Sequence, residues 1–189
     1  MTNSQRAAWG ITLLASAGIA WMAIEKRSKE QQMITLLKKY DMSTNPNLPR
    51  GYRNNNPLNI RFSNWNGWKG KVLPNTDKNN TFEQFISLPY GYRAALITMR
   101  NYIKKYGCNT VEKIISRWAP ENENNTRAYI QHVCEFADLT PQQAVAINDR
   151  DTLTRMAYAM SIIENGNTAE TREAGLPDMD IINTAWELL

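Results

Sequence analysis

The residues best suited to chemistry sit in two distant stretches of this 189-residue chain. Residues 51–61 read Gly-Tyr-Arg-Asn-Asn-Asn-Pro-Leu-Asn-Ile-Arg, with Trp65 and Trp68 just beyond. Side-chain amides (Asn55, Asn56, Asn59), a guanidinium (Arg61) and two indoles within one turn and one hairpin suit the grip of a neutral, hydroxyl- and amide-rich polymer such as a glycan. The second stretch ends at Glu164. It closes an apolar helical run (Met156, Tyr158, Ala159, Met160, Ile162, Ile163) and precedes Asn165-Gly166, a natural helix stop. A carboxylate placed there is a candidate general acid. A solvated glutamate at a helix end is the competing reading.

Two further groups of carboxylates come into question. Glu83 lies in Thr81-Phe82-Glu83-Gln84-Phe85 and could be the second carboxylate of a glycosidase pair, whose separation sets an inverting or a retaining outcome. An ordinary exposed strand residue is the alternative. Glu121 and Glu123 flank Asn122 in a polar loop, with Trp118 before and Tyr129 after, and could line a sugar cleft or simply be solvated. The two cysteines, Cys108 and Cys134, match no metal or redox spacing and read as buried free thiols, with a single bridge as the alternative if the domain enters an oxidising compartment. The only histidine, His132, falls on the polar side of its helix. One histidine and no acidic cluster argue against a zinc hydrolase, and no cofactor or metal is expected.

The elements that must position these residues follow from periodicity and punctuation. Candidate strands at 58–62, 68–73 and 81–86 form a small antiparallel sheet joined by turns at 63–67 and 74–80. Helices are expected at 89–106 (stopped by Gly107), 110–118, 126–137, after the capping pattern Thr140-Pro141-Gln142-Gln143, from Asp149 or Asp151 to 163, and from Pro177-Asp178 onward. A small sheet beside many helices makes a mainly α, α+β domain.

The N-terminus has a different character. Residues 7–24 carry no charge, are flanked by Arg6 and by Glu25-Lys26-Arg27, and bear Trp9 and Trp21 near their ends. Their length is near the minimum for a bilayer span. The expectation is a single-pass membrane anchor. A cleaved signal peptide and a weak anchor that later leaves the bilayer are the alternatives. The expected organisation is residues 1–40 as anchor helix and basic extension, 41–49 as linker, and 50–189 as the folded domain. The denser positive charge after the segment places that domain on the cytoplasmic side.

Charge divides the remainder. Residues 50–117 hold twelve Lys/Arg and three acids, whereas 118–189 hold four Lys/Arg and twelve acids. A basic half facing an acidic half suits a cleft, and the basic half could attract an anionic polymer. Nucleic acid is the weaker partner, because the basic residues are interleaved with asparagines and no nucleic-acid motif appears.

Taken together, residues 51–61, Trp68-Lys69-Gly70, Phe85-Ile86-Ser87, Tyr90-Gly91-Tyr92-Arg93-Ala94, Ile115-Ser116-Arg117-Trp118-Ala119-Pro120, Glu123-Asn124, Tyr129-Ile130 and Ile163-Glu164-Asn165-Gly166 resemble a phage and prophage family. The resemblance covers about residues 50–185. Members of that family are described as virion structural proteins or candidate cell-wall hydrolases. Residues 55–61, the following Trp and Gly, Thr81-Phe82-Glu83 and Phe85-Ile86-Ser87 are also similar to the β-region of bacterial glucosaminidases of the lysozyme superfamily. In those enzymes the catalytic glutamate ends a helix before the asparagine motif. Here the nearest equivalent is Glu164, far after it. Either the fold is circularly permuted and Glu164 closes the same site, or the catalytic carboxylate is gone.

The resemblance implies a lysozyme-like domain that cleaves the glycan strands of peptidoglycan, as a glycosidase or lytic transglycosylase. Glu164 would protonate the glycosidic oxygen. Glu83, or a group of the substrate itself, would stabilise the developing cation or activate water. Asn55, Asn56, Asn59 and Arg61 would hold sugar amides and the lactyl carboxylate, with Trp65, Trp68, Trp118 and Tyr129 as stacking or lining faces. The alternative is a non-catalytic virion or membrane protein that binds glycan or other virion proteins with the same fold. The expected location is a host or virion membrane, with the domain delivered to the wall.

Overall fold

A computed structural model describes the backbone of residues 3–189 and the side chains of residues 20–189. The chain divides into two units, residues 1–39 and 40–189.

The first unit is one helix, α1 (Asn3–Lys39). Its described side chains are mostly exposed. Glu25 and Lys29 pair at 2.7 Å one turn apart, and Trp21, Met22, Ile24 and Ile34 face solvent. Among the described residues no helix is long and apolar enough to cross a membrane. That overturns the expected single-pass anchor through residues 7–24 and the membrane location built on it. The segment is diluted by Ala, Gly, Thr12 and Ser16, and charges begin at Glu25. Trp9 and the other side chains of 7–19 lie outside the described residues.

The second unit is mainly helical: α2 (Arg50–Arg53), α3 (Leu88–Tyr106), α4 (Val111–Trp118), α5 (Thr126–Ala137), α6 (Arg150–Asn165), α7 (Ala169–Glu173) and α8 (Met179–Glu187). Helix α6 is central and packs against α2, α3, α5 and α8. Leu153, Met156, Ala157, Ala159 and Met160 on α6 are fully buried, as are Leu96 and Met99 of α3, Ile114 and Ile115 of α4, and Val133 of α5. Burying each of the Leu, Met, Ile and Val side chains among them contributes roughly 1.5–3 kcal/mol.

Local sequence sets the helix ends. The Thr110 side chain accepts from Lys113 N, Asn125 from Ala128 N, Asp149 from Thr152 N and Asp178 from Asp180 N, each satisfying a first-turn donor. Gly107 at φ 65 ends α3. The expected helix after Thr140-Pro141 is not formed. Val145 N donates to Asn109 O, and Ala144 pairs with Thr110, so that backbone serves a neighbouring segment instead.

The expected sheet is also corrected. Among the described residues there is no strand, and the three segments share only the isolated antiparallel bridges Arg61–Phe82 and Lys71–Phe85. The three segments do lie side by side, with Glu83 N donating to Ile60 O and Val72 N to the Gln84 carbonyl. A ladder fails because side chains take its bonds. Asn56 Nδ2 donates to both Ile60 O and Glu83 O, and Asn75 Nδ2 donates to Phe82 O. Asn59 at φ 49 and Gly70 at φ 77 interrupt the extended backbone. The expected lysozyme-like α+β arrangement therefore gives way to a mainly helical domain with a coil lobe stitched by amides.

Residues 41–49 belong to this second unit. Asn55 Oδ1 accepts from Met42 N, its Nδ2 donates to Asp41 Oδ1, and Leu48 is buried.

Candidate functional site

The asparagine run is sorted by burial. Asn55 and Asn56 are fully buried, and all of their amide bonds named above go to protein partners, together with Asn55 Nδ2 to Phe85 O and Ile60 N to Asn56 Oδ1. They hold the lobe together and reach no open surface. Gly91 belongs to the same packing, since a Cβ there would lie 2.0 Å from Asn55 O. Asn59, by contrast, faces a cleft.

That cleft has a volume of about 430 Å³ and is lined by residues of both charge halves. Asn59, Arg61, Asn66 and Trp68 come from the coil lobe. Thr98 and Tyr102 come from α3, Trp118 from the end of α4, Glu123 and Asn124 from the loop after it, and Glu164 from the end of α6. The polypeptide thus brings residues 59 and 164 together across 105 positions. Asn59 Nδ2 donates to Glu164 Oε2 at 2.9 Å and contacts Glu164 O at 3.4 Å. Tyr129 donates its hydroxyl to Glu164 Oε1 at 3.0 Å. Burial, then the neighbouring Glu164 carboxylate and the hydrogen bond to it, push the Tyr129 hydroxyl well above its ordinary value. It therefore stays a donor at neutral pH.

The next residue locks this geometry. Asn165 Nδ2 donates to Pro57 O at 2.7 Å and to Ser161 O at 2.9 Å. Helix α6 is thereby tied to the asparagine turn at the point where Glu164 enters the cleft. Gly51 is required beneath it, because a Cβ there would fall 2.3 Å from Asn165 Oδ1.

At the cleft rim Arg61 meets Glu123 at 3.0 Å, and both side chains are exposed. Trp118 and Tyr102 meet edge to face with ring centroids 6.4 Å apart. The other expected residues are elsewhere. Trp65 is 95% exposed in its turn and does not line the cleft. Glu83 is fully buried and does not line it either. Lys71 Nζ sits 3.0 Å from each of its carboxylate oxygens, and Ser63 N donates to Oε1. The alternative of an ordinary exposed strand residue does not hold for Glu83 either: Glu83 and Phe85 point inward, while Phe82 and Gln84 are half-buried.

Sequence reasoning missed Tyr102, Thr98, Asn66 and Asn124 as cleft residues. Thr98 and Tyr102 are one helical turn apart, so they share a face of α3. That spacing was the available signal. Asn66 lies in a loop and carried none, and Asn124 figured only among the motifs of the family resemblance. Cys108 and Cys134 are free and half-buried, and His132 is exposed beside Phe136.

Fold and site together define a mainly helical domain whose central helix delivers one carboxylate into a polar, aromatic-walled cleft. No family model matches the chain. Protein P5 of Pseudoalteromonas phage PM2 is 40% identical to it over 124 residues, which is 65% of this chain and 74% of that protein. The chain belongs to the family of this phage protein.

Proposed function

We propose that this phage-family domain binds a peptidoglycan glycan strand in the cleft and that Glu164 cleaves it. The observation that carries the reading is the Glu164 carboxylate, held by Asn59 and Tyr129 inside a cleft walled by Trp68, Trp118 and Tyr102. Aromatic faces suit the apolar faces of sugar rings, and the amides of Asn59, Asn66 and Asn124 suit hydroxyl and acetamido groups.

Glu83 is buried beside Lys71 and is not among the residues lining the cleft, so this reading does not use it as the second carboxylate of a glycosidase pair. A substrate-assisted route fits a cleft with Glu164 as its proton donor. Glu164 gives its proton to the glycosidic oxygen as the C1–O bond breaks. The acetamido oxygen of the same sugar bonds to C1 and takes up the developing positive charge. Tyr129 and Asn59 then hold the resulting carboxylate.

A second reading is supported by the membership of a phage-protein family and by the single inward carboxylate. In it the same cleft binds glycan without cutting, and the protein is a virion structural component. One experiment separates them. The full chain and Glu164→Gln are incubated with purified peptidoglycan, and soluble fragments and pelleted protein are both measured. Cleavage predicts fragment release that falls at least about a hundredfold in Glu164→Gln while pelleting persists. Pelleting without release by the unmodified chain supports the structural reading. Absence of both refutes glycan recognition altogether.

A further inference from the structure

We propose that Glu123 acts as a built-in stand-in for an acidic group of the strand, occupying Arg61 until a carboxylate on the ligand displaces it. The inference rests on the glycan reading above and narrows its substrate class to strands whose sugar carboxylates are free, which in peptidoglycan means strands stripped of their stem peptides. Arg61 and Glu123 come from segments 62 residues apart, and each lines the cleft that holds Glu164. Only one guanidinium nitrogen, Nη2, bonds Glu123, through Oε2 at 3.0 Å.

The contrast with the other arginine–carboxylate pair of the coil lobe is informative. Arg50 engages Asp77 through two nitrogens, at 2.8 and 2.6 Å, and Asp77 is almost fully buried. The Arg61–Glu123 side chains are 73% and 51% accessible. An exposed single-contact pair is weak and easily exchanged. A guanidinium can engage a carboxylate through two parallel bonds, so a strand carboxylate that does so outcompetes the resting contact. A neutral strand of equal length gains nothing from Arg61, and the cleft discriminates against it.

The test compares two soluble tetrasaccharides on the full chain. One alternates N-acetylglucosamine with N-acetylmuramic acid, whose lactyl ether bears a carboxylate. The other is chitotetraose, with the same backbone and acetamido groups and no carboxylate. Binding is measured by calorimetry in a Glu164→Gln background, so that no strand is cut. The acidic strand is expected to bind more tightly. Adding Glu123→Gln should tighten the acidic strand about twofold to fivefold, by removing its competitor, and leave chitotetraose unchanged. Adding Arg61→Gln should weaken the acidic strand about tenfold and erase the preference. Equal binding of the two strands, or a Glu123→Gln change that weakens the acidic strand, overturns the inference while leaving glycan recognition standing. Failure of both strands to bind sinks the glycan reading and this inference with it.

Discussion

The coil lobe and the cleft are built from the same residue types and use them in opposite ways. In the lobe, Asn54, Asn55, Asn56, Asp77 and Glu83 are buried, and each is engaged by protein groups. In the cleft, Asn59, Arg61, Glu123 and Glu164 are more open, and their contacts leave donor or acceptor capacity for a ligand. Glu83 and Glu164 make the contrast sharpest. One carboxylate is sealed against a lysine. The other is held by an amide and a phenol at the mouth of a cavity. A buried carboxylate neutralised by a lysine serves the fold, whereas an accessible group held by neutral donors is free to act on something else.

The largest expected effect breaks the sealed side. Lys71→Met leaves Glu83 as an uncompensated charge in a site with no water access, at a cost of about 3–5 kcal/mol in unfolding free energy. Urea denaturation checks this. A loss under about 1 kcal/mol would mean that the pair is not sealed, and the contrast with Glu164 would collapse.

Next comes the division within the asparagine run itself. Asn56→Ala strips the amide from Ile60 N, Ile60 O and Glu83 O, and should cost about 2–3 kcal/mol. Asn59→Ala removes a contact at the cleft edge and should cost about 1 kcal/mol or less. Equal losses in thermal or urea unfolding would erase the distinction between frame and site.

That distinction was only partly legible in the sequence. The helices were readable where caps and apolar spacing agree. Residues 126–137 were expected and found as α5, because Asn125 caps it and Tyr129 and Val133 face the core. Thr140-Pro141 carries the capping signal without an apolar face to follow, and tertiary pairing of Val145 with Asn109 won. Alternation at 58–62 and 81–86 suggested strands. Nothing in a period-two pattern reveals that Asn56 will close the bonds a ladder needs. Glu164 was legible because a helix stop follows it. The inward turn of Glu83 was not, because its parity depends on Lys71, twelve positions earlier, reaching it across the lobe. The polarity of residues 54–59 suggested one binding surface, but burial divides it between Asn56 and Asn59.

Acid sensitivity gives the smallest effect and tests the frame from another direction. Burial alone would raise the Asp77 carboxyl. Hydrogen bonds from Arg50, Asn54 and Phe82 N, together with the Arg50 charge, overcome it and hold the group below its usual value. A depressed carboxyl contributes stability that is complete above the unfolded value of about 3.9 and is lost as pH falls through the lower folded value. Arg50→Met should therefore cost about 1 kcal/mol at pH 7, a modest figure because Arg50 is partly exposed. The gap between mutant and parent should narrow in urea titrations carried from about pH 5 to about pH 2, as protonation removes from the parent what the mutation has already removed. A gap that stays constant over that range would assign the contribution of Arg50 to its stacking on Phe82, whose ring centroid lies 4.7 Å away, and not to the carboxylate. Asp77 would then stabilise the lobe through neutral contacts, and charge pairing in the frame would reduce to Lys71 and Glu83.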